Sequence, residues 1–462
     1  MATSQFEWGM SIHLLHYSDL ETALDDPERC GRLAGQIAAR RTPETLVLGT
    51  GDNTAPSALS LATEGEASMA FFDAVDPDAD TFGNHDFDFG RERARELAGF
   101  APQPWLCANA TVDGERFAAD ETKRSRLVDA GEPVGLVGVA HPRTDTINPA
   151  AQGVQFHDPG PIIRAEAETL RESGAEYIVV VSHCGYNDEE LAEETDVDAI
   201  LGGHVHDIFV DVIDGTAVVR PGRAGEQFSE VRLGEEPAIE IHAVEDEPLD
   251  ETIADRLHQE MAAHDLDATV ATVTEPIERS EEAATIAESR IGNLVTDALR
   301  WKAGTDIALS PPGAMRSGPP LVGEVTVADL VALTPYDDDL VVVELSGDRL
   351  REALVAIPFG YHDDGHPDTH CSHVSGASVV WDDESGELLN ATVGGEPLDP
   401  ATTYTLATAE YLVETDHVNG AFGPEDVVDR MGIARDAIVE YAQENDLDPA
   451  IEGRVTRPEL EY

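Results

Sequence analysis

Residues 80–90 read DTFGNHDFDFG, in which Thr81-Phe82 is followed by Gly83 and then by Asn84, His85, Asp86 and Asp88. Four other stretches are built the same way. LLHYSD ends at Asp19 with Glu21 two residues on; LVLGTGD ends at Asp52; YIVVVSHCG carries His183; and AILGGHVH carries His204 and His206. Open α/β sheets place their sites where strands end, because the loops beyond the carboxyl ends converge. One aspartate after a strand is commonly a helix cap, and one buried histidine a satisfied core residue. Five in series, several beside glycines that let backbones approach closely, point instead to a metal site.

Outward from these motifs, apolar runs alternate with helical patterns from residue 11 to about 210, as in RCGRLAGQIAARR, VGLVGVA and IIRAEAETLRESG. This is the signature of an α/β domain around a buried sheet. Residues 208–245 switch to strands separated by Gly turns and are expected to add a β-meander to one sheet. The acidic stretch after them spaces Ile253, Leu257 and Met261 as a helix does. The expected organisation is a first domain over 1–245, a linker helix over 246–270 and an α+β domain over 271–462. The last contains one strong helix, AESRIGNLVTDALRWKAG, and strands such as LVVVEL, ASVVWD and TYTLATA.

Ninety-two acidic residues face 29 basic ones, a formal charge of -63, and Lys123 and Lys302 are the only lysines. Such a chain offers no basic patch for nucleic acid. Its self-repulsion is tolerable when salt shortens the Debye length to about 3 Å near 1 M. A halophilic, cytoplasmic protein is expected, with no membrane partner, since no apolar stretch approaches the length of a membrane span. Cys30, Cys107, Cys184 and Cys371 are scattered and read as reduced packing residues. The sequence leaves the oligomeric state open.

Taken together, the motifs resemble the calcineurin-like metallophosphoesterases and, within them, the 5'-nucleotidase family. Gly51-Asp52, Gly83-Asn84-His85-Asp86, His183-Cys184-Gly185 and Gly203-His204-Val205-His206 match the family pattern. The resemblance implies a four-layer α/β sandwich of mixed sheets flanked by helices, followed by an α+β C-terminal domain. It also implies two divalent cations: Asp52 bridges them, Asn84, His183 and His204 complete one site, and Asp19 with His206 serve the other. Two cations about 3.5–4 Å apart acidify a water and neutralise a phosphoryl group during in-line displacement. His85 and Asp88 are implied as a catalytic dyad in which the carboxylate orients the imidazole. One position departs: the family has a histidine where this chain has Glu21. A carboxylate there hardens the site, so among Mn, Zn, Fe, Co and Mg the expectation favours Mn.

The resemblance continues through Gly292-Asn293-Leu294, Thr296-Asp297-Ala298, Arg300 and Val374-Ser375-Gly376. It implies substrate contacts from Asn293, Arg316 and Tyr411. Cys371 stands where a second base-stacking aromatic is expected, and Asp416 or His417 follows Tyr411 in place of the family's polar pair. His362, His366, His370 and His373 cluster nearby, either as a further metal site or as a polar loop. The expected activity is hydrolysis of a small phosphomonoester, a nucleoside 5'-monophosphate first. Cyclic nucleotides, nucleotide sugars and a degenerate nucleotide-binding protein stand as alternatives.

Overall fold

Strand Tyr177–His183 shows how the first half is assembled: Val179 and Val181 enter one core while Ile178 and Val180 enter another. Side chains alternate along a strand, so a strand apolar on both faces must be covered on both. The computed structural model describes residues 12–234, 236–244, 248–357, 371–382, 387–415 and 418–458.

The chain divides into two units, Met1–His264 and Asp265–Tyr462. In the first, two sheets lie face to face. One holds Ile12–Tyr17, Thr45–Gly49, Gln227–Leu233 and Ala238–Ala243. The other has six strands in the order Ile208–Ile213, Thr216–Pro221, Ala199–Leu201, Tyr177–His183, Pro133–Ala140 and Ser125–Asp129. Ile12, Leu14, Leu46 and Val231 of the one meet Leu136, Val179, Leu201 and Val219 of the other. On the outer face of the six-stranded sheet, Val137, Val180 and Val218 pack against Ile163 and Ala167 of helix Pro159–Glu172 and Leu191 of helix Asn187–Glu194. On the other side, helix Pro27–Arg40 buries Leu33 and Ile37 and ends with Arg40 over the Phe228 ring. The outcome is a four-layer α/β sandwich with mixed sheets.

The expected single meander is corrected. The strands of 208–221 join the six-stranded sheet, whereas Gln227–Leu233 and Ala238–Ala243 join the other. Between them Gly222, Ala224 and Gly225 take left-handed backbone with φ of 90°, 53° and 62°, which carries the chain across. The acidic stretch is helical over Glu251–Ala263, with Ile253, Leu257 and Met261 buried, and it packs on Pro27–Arg40 within the first unit. Close contact there requires glycine: a Cβ on Gly35 would lie 2.5 Å from the Pro248 carbonyl.

The second unit is α+β. A five-stranded sheet is ordered His373–Ser375, Ile307–Ser310, Thr403–Ala409, Asp339–Ser346 and Val427–Ile433. Helices Arg290–Ala303 and Ala434–Glu444 supply Leu294, Ala298 and Ile438 to the core on one face. Gly347–Val355 supplies Leu350 and Leu354 to a second core that includes Val379 and Leu388 of a four-stranded sheet. No helix among the described residues is long and apolar enough to cross a membrane.

Candidate metal centre

Asp19, Glu21, Asp52 and His204 all sit in left-handed backbone, with φ of 48°, 44°, 52° and 75°. For residues with a Cβ this conformation costs on the order of 1 kcal/mol or more, and it persists where surrounding structure enforces it. Asp19, Glu21 and Asp52 lie in the loops after Ile12–Tyr17 and Thr45–Gly49 of the four-stranded sheet, and His204 lies in the loop after Ala199–Leu201 of the six-stranded one. Glycines permit the crowding. A Cβ on Gly83 would lie 2.1 Å from Asp52 Oδ1, and one on Gly203 would lie 2.3 Å from Ser18 Oγ.

Asp52 is central. Its Oδ2 lies 3.0 Å from His183 Nε2, and its Oδ1 accepts the His85 backbone N–H at 2.6 Å. His183 Nδ1–H donates to the Thr50 carbonyl at 2.6 Å, which orients the ring and aims Nε2 at Asp52. His204 Nδ1 meets Asn84 Oδ1 at 2.8 Å. Beside them, His206 Nε2 is 3.3 Å from Glu21 Oε1 and 3.7 Å from Asp19 Oδ1. Asp86 accepts from the backbone N–H groups of Asp52 at 2.9 Å, Gly83 at 2.8 Å and Thr54 at 3.1 Å, and so clamps the two loops together.

His85 Nδ1–H donates to both carboxylate oxygens of Asp88 at 3.1 Å. Thus the seven expected ligands and the two dyad residues gather at one edge of the first unit.

The electrostatics describe a cluster that favours added positive charge. Burial, with Asp52 and Glu21 nearby, pushes the Asp19 carboxyl up to about 8 despite His183. Burial and Asp52 push Asp86 up to about 6. His183 is held up at about 10: burial opposes its charge, but Asp52 and Asp19 overcome it. His204 goes well below the usual imidazole range through burial and the neighbouring His183, His141 and His206. Three groups, Asp52–His183–His204, Asp19–Glu21–His206 and Glu21–Asp52–His85, keep their ligand atoms within 4.8 Å of one another. Carboxylate, imidazole and amide donors so arranged fit divalent first-row metals.

Three residues the sequence motifs do not single out join the site. His141 stacks on His204 with centroids 4.9 Å apart. Asn148 donates to Asp88 Oδ1 at 2.7 Å. Arg223, on the segment that crosses between sheets, donates to His206 Nδ1 at 2.6 Å.

The expected substrate residues lie in the second unit. Both amide hydrogens of Asn293 are engaged there, with Glu288 at 2.8 Å and the Ala450 carbonyl at 2.7 Å, and the residue is buried. Arg316 places its guanidinium 5.7 Å from the Tyr336 ring centre, and Tyr411 packs half-buried on the second core. Cys371 is a core residue with no exposed surface. His373 is buried against Gly292 and donates to the Ala284 carbonyl at 2.8 Å, which makes it a packing residue. His362, His366, His370, Asp416 and His417 lie outside the described residues.

Comparison with known proteins agrees with this division. The calcineurin-like phosphoesterase family model matches residues 12–207, and the model for the 5'-nucleotidase C-terminal domain matches residues 269–420. The chain is 24% identical to endonuclease YhcR of Bacillus subtilis over 89% of its own length but 36% of that protein, so it spans about a third of this relative. It is 25% identical to an apyrase of Tabanus yao, over 80% of this chain and 76% of that one. The crystal structure of a 5'-nucleotidase precursor from Thermus thermophilus superposes with a TM-score of 0.85 at 22% identity, covering 98% of this chain and 100% of that one, which shows a shared fold. With a calcineurin-like phosphoesterase domain followed by a 5'-nucleotidase C-terminal domain, the chain belongs to the 5'-nucleotidase family of calcineurin-like phosphoesterases.

Proposed function

We propose that this protein hydrolyses phosphomonoesters, nucleoside 5'-monophosphates first among them, at a centre holding two divalent cations. The observation that carries this proposal is the His85–Asp88 pair at 3.1 Å, anchored by the His85 backbone to Asp52 in the middle of the donor cluster. A site that only bound metal would have no use for an oriented imidazole beside it.

Asn84, His183 and His204 would hold one cation and Asp19, Glu21 and His206 the other, with Asp52 placed between the two sets. When bound, the cations acidify a water and offset phosphoryl charge. The chain supplies the rest. Asp88 keeps the His85 proton on Nδ1 and stabilises the ring as a cation, so His85 Nε2 protonates the departing ester oxygen. Asp86 and the Thr50 carbonyl hold the Asp52 loop and the His183 ring in place, so little reorganisation is needed.

Glu21 adds a hard oxygen donor and favours Mn²⁺. Tyr411 offers a stacking face and Arg316 a bidentate contact to phosphate or ribose. Asn293 is left out, because both its amide hydrogens are committed within its own domain.

One observation favours a second substrate class. With Cys371 buried where a stacking aromatic is expected, base selectivity is weak, and 2',3'-cyclic nucleotides or nucleotide sugars can use the same centre. The acidic surface suits a cytoplasm rich in salt and disfavours polyanionic partners.

The test is phosphate release from a nucleotide panel and p-nitrophenyl phosphate in multimolar KCl with Mn²⁺. Turnover that collapses in His85→Ala supports the proposal. No turnover with any divalent metal sinks it, and activity confined to non-nucleotide esters sinks the substrate assignment alone.

A further inference from the structure

Arg220 lies in strand Thr216–Pro221 and is 1% exposed, which puts a guanidinium charge inside the first unit. A charge so placed is tolerated when its hydrogen bonds are met. Here they are met from two directions. Nε–H donates to Asp207 Oδ1 at 2.9 Å, Nη1–H donates to the Gly185 carbonyl at 3.1 Å, and the two Nη groups reach the Glu189 carboxylate at 3.3 and 3.2 Å. The ring centres of Phe209 and Tyr186 lie 4.6 and 5.4 Å from the guanidinium carbon.

These partners belong to two segments that carry expected metal ligands. Gly185 is two residues past His183, and Glu189 lies in the first turn of helix Asn187–Glu194 that follows. Asp207 is next to His206. The chain leading to His204 also passes close, since a Cβ on Gly202 would lie 3.1 Å from Arg220 Cγ. One planar fork therefore joins the segment of His183 to the segment of His204 and His206, and these histidines serve both donor groups.

A charge paired in the interior adds little net stability over a packed apolar side chain. What a guanidinium adds is a set of donors in fixed directions, here spread over two loops. Groups behind metal ligands orient them and thereby tune the affinity for metal. We propose that Arg220 is a positioning residue that fixes the spacing of His183 from His204 and His206, and through it the affinity of the centre for divalent cations. The assignment rests on the two-cation reading of the centre.

Arg220→Lys separates this role from charge balance, because lysine keeps the positive charge and lacks the planar fork. Glu189→Ala releases the His183 segment while Asp207 still balances the arginine; the glutamate side chain is 30% exposed, so its loss leaves the core intact. The thermal midpoint of the metal-stripped chain and calorimetric binding of Mn²⁺ to it are measured in multimolar KCl.

The expected result is that both variants are folded before metal is added. The Mn²⁺ affinity of Arg220→Lys falls about 10- to 100-fold, and that of Glu189→Ala falls less. Wild-type Mn²⁺ affinity in folded Arg220→Lys overturns the proposal, because charge alone would then suffice. Should Arg220→Lys fail to fold, Glu189→Ala decides: weakened affinity supports the proposal and wild-type affinity overturns it. A wild-type chain that binds Mn²⁺ but hydrolyses no phosphoester refutes the proposed activity and leaves these isotherms to decide the role of Arg220. One that takes up no divalent cation refutes both.

Discussion

Asn148 donates through one amide to Asp88 Oδ1 at 2.7 Å and to the Asn84 carbonyl at 2.8 Å, so the carboxylate of the dyad is tied to the backbone of a proposed ligand. Removing that tie loosens the hold on Asp88. Asn148→Ala is expected to lower kcat about 10-fold with metal content unchanged, whereas His85→Ala lowers it by roughly 10²- to 10⁴-fold. Steady-state kinetics on one phosphomonoester check both. Equal losses in the two variants would mean that Asn148 does more than orient the dyad.

Glu21 brings a carboxylate to within 3.3 Å of His206 where the family pattern has histidine. Glu21→His is expected to move the metal giving fastest turnover from Mn²⁺ toward Zn²⁺ or Co²⁺, because imidazole is the softer donor. Glu21→Ala should weaken one of the two bound cations selectively. Metal analysis beside activity in each metal reads both effects, and an unchanged preference in Glu21→His would remove Glu21 from the ligand set.

Asp188 is fully buried, accepts from Ser182 Oγ at 2.6 Å, and burial pushes its carboxyl up to about 7. Its Oδ2 has no hydrogen-bond partner among the described residues. Unfolded, the group ionises near its ordinary value of 3.8. Between those two values the folded chain holds the extra proton, so the stability Asp188 contributes is complete below pH 4 and is lost as pH rises toward 7. Asp188→Asn cannot ionise in either state. The variant should therefore gain on the wild type by up to about 1.4 kcal/mol per pH unit across that window, as read by denaturant unfolding at fixed KCl. Parallel stability curves would refute a neutral Asp188.

Charge repulsion at -63 should make folding depend on screening. The unfolding midpoint is expected to climb steeply as KCl rises from 0.15 M to 1 M, while the Debye length falls from about 8 Å to about 3 Å. A salt-independent midpoint would show that the acidic surface is already compensated.

Much of this was legible in the chain because its signals are local. The apolar run YIVVV marked Tyr177–His183 as a buried strand, and strand-end motifs drew attention to a wider polar set from which the family resemblance picked seven expected donors. What was missed depends on contacts distant in sequence. Arg223 reaches His206 only because Gly222, Ala224 and Gly225 turn the chain from one sheet to the other, and this crossing is also why the expected meander divides. Asn148 shows no motif. His141 is different: it follows the apolar run VGLVGVA as His183 follows YIVVV, so the strand-end rule that found one applies to the other. Asn293 matched a family motif, yet its amide is spent inside the second unit, a commitment visible only once Glu288 and the Ala450 carbonyl are placed.

The central claim, a two-cation phosphoester hydrolase centred on Asp52, is tested most directly by titrating metal-stripped protein with Mn²⁺ in multimolar KCl while recording bound metal and phosphate release together. Turnover of a nucleoside monophosphate should appear only as occupancy approaches two ions per chain, and Asp52→Asn should abolish both tight binding and turnover. Full turnover in the stripped protein, or none with both ions bound, would contradict it.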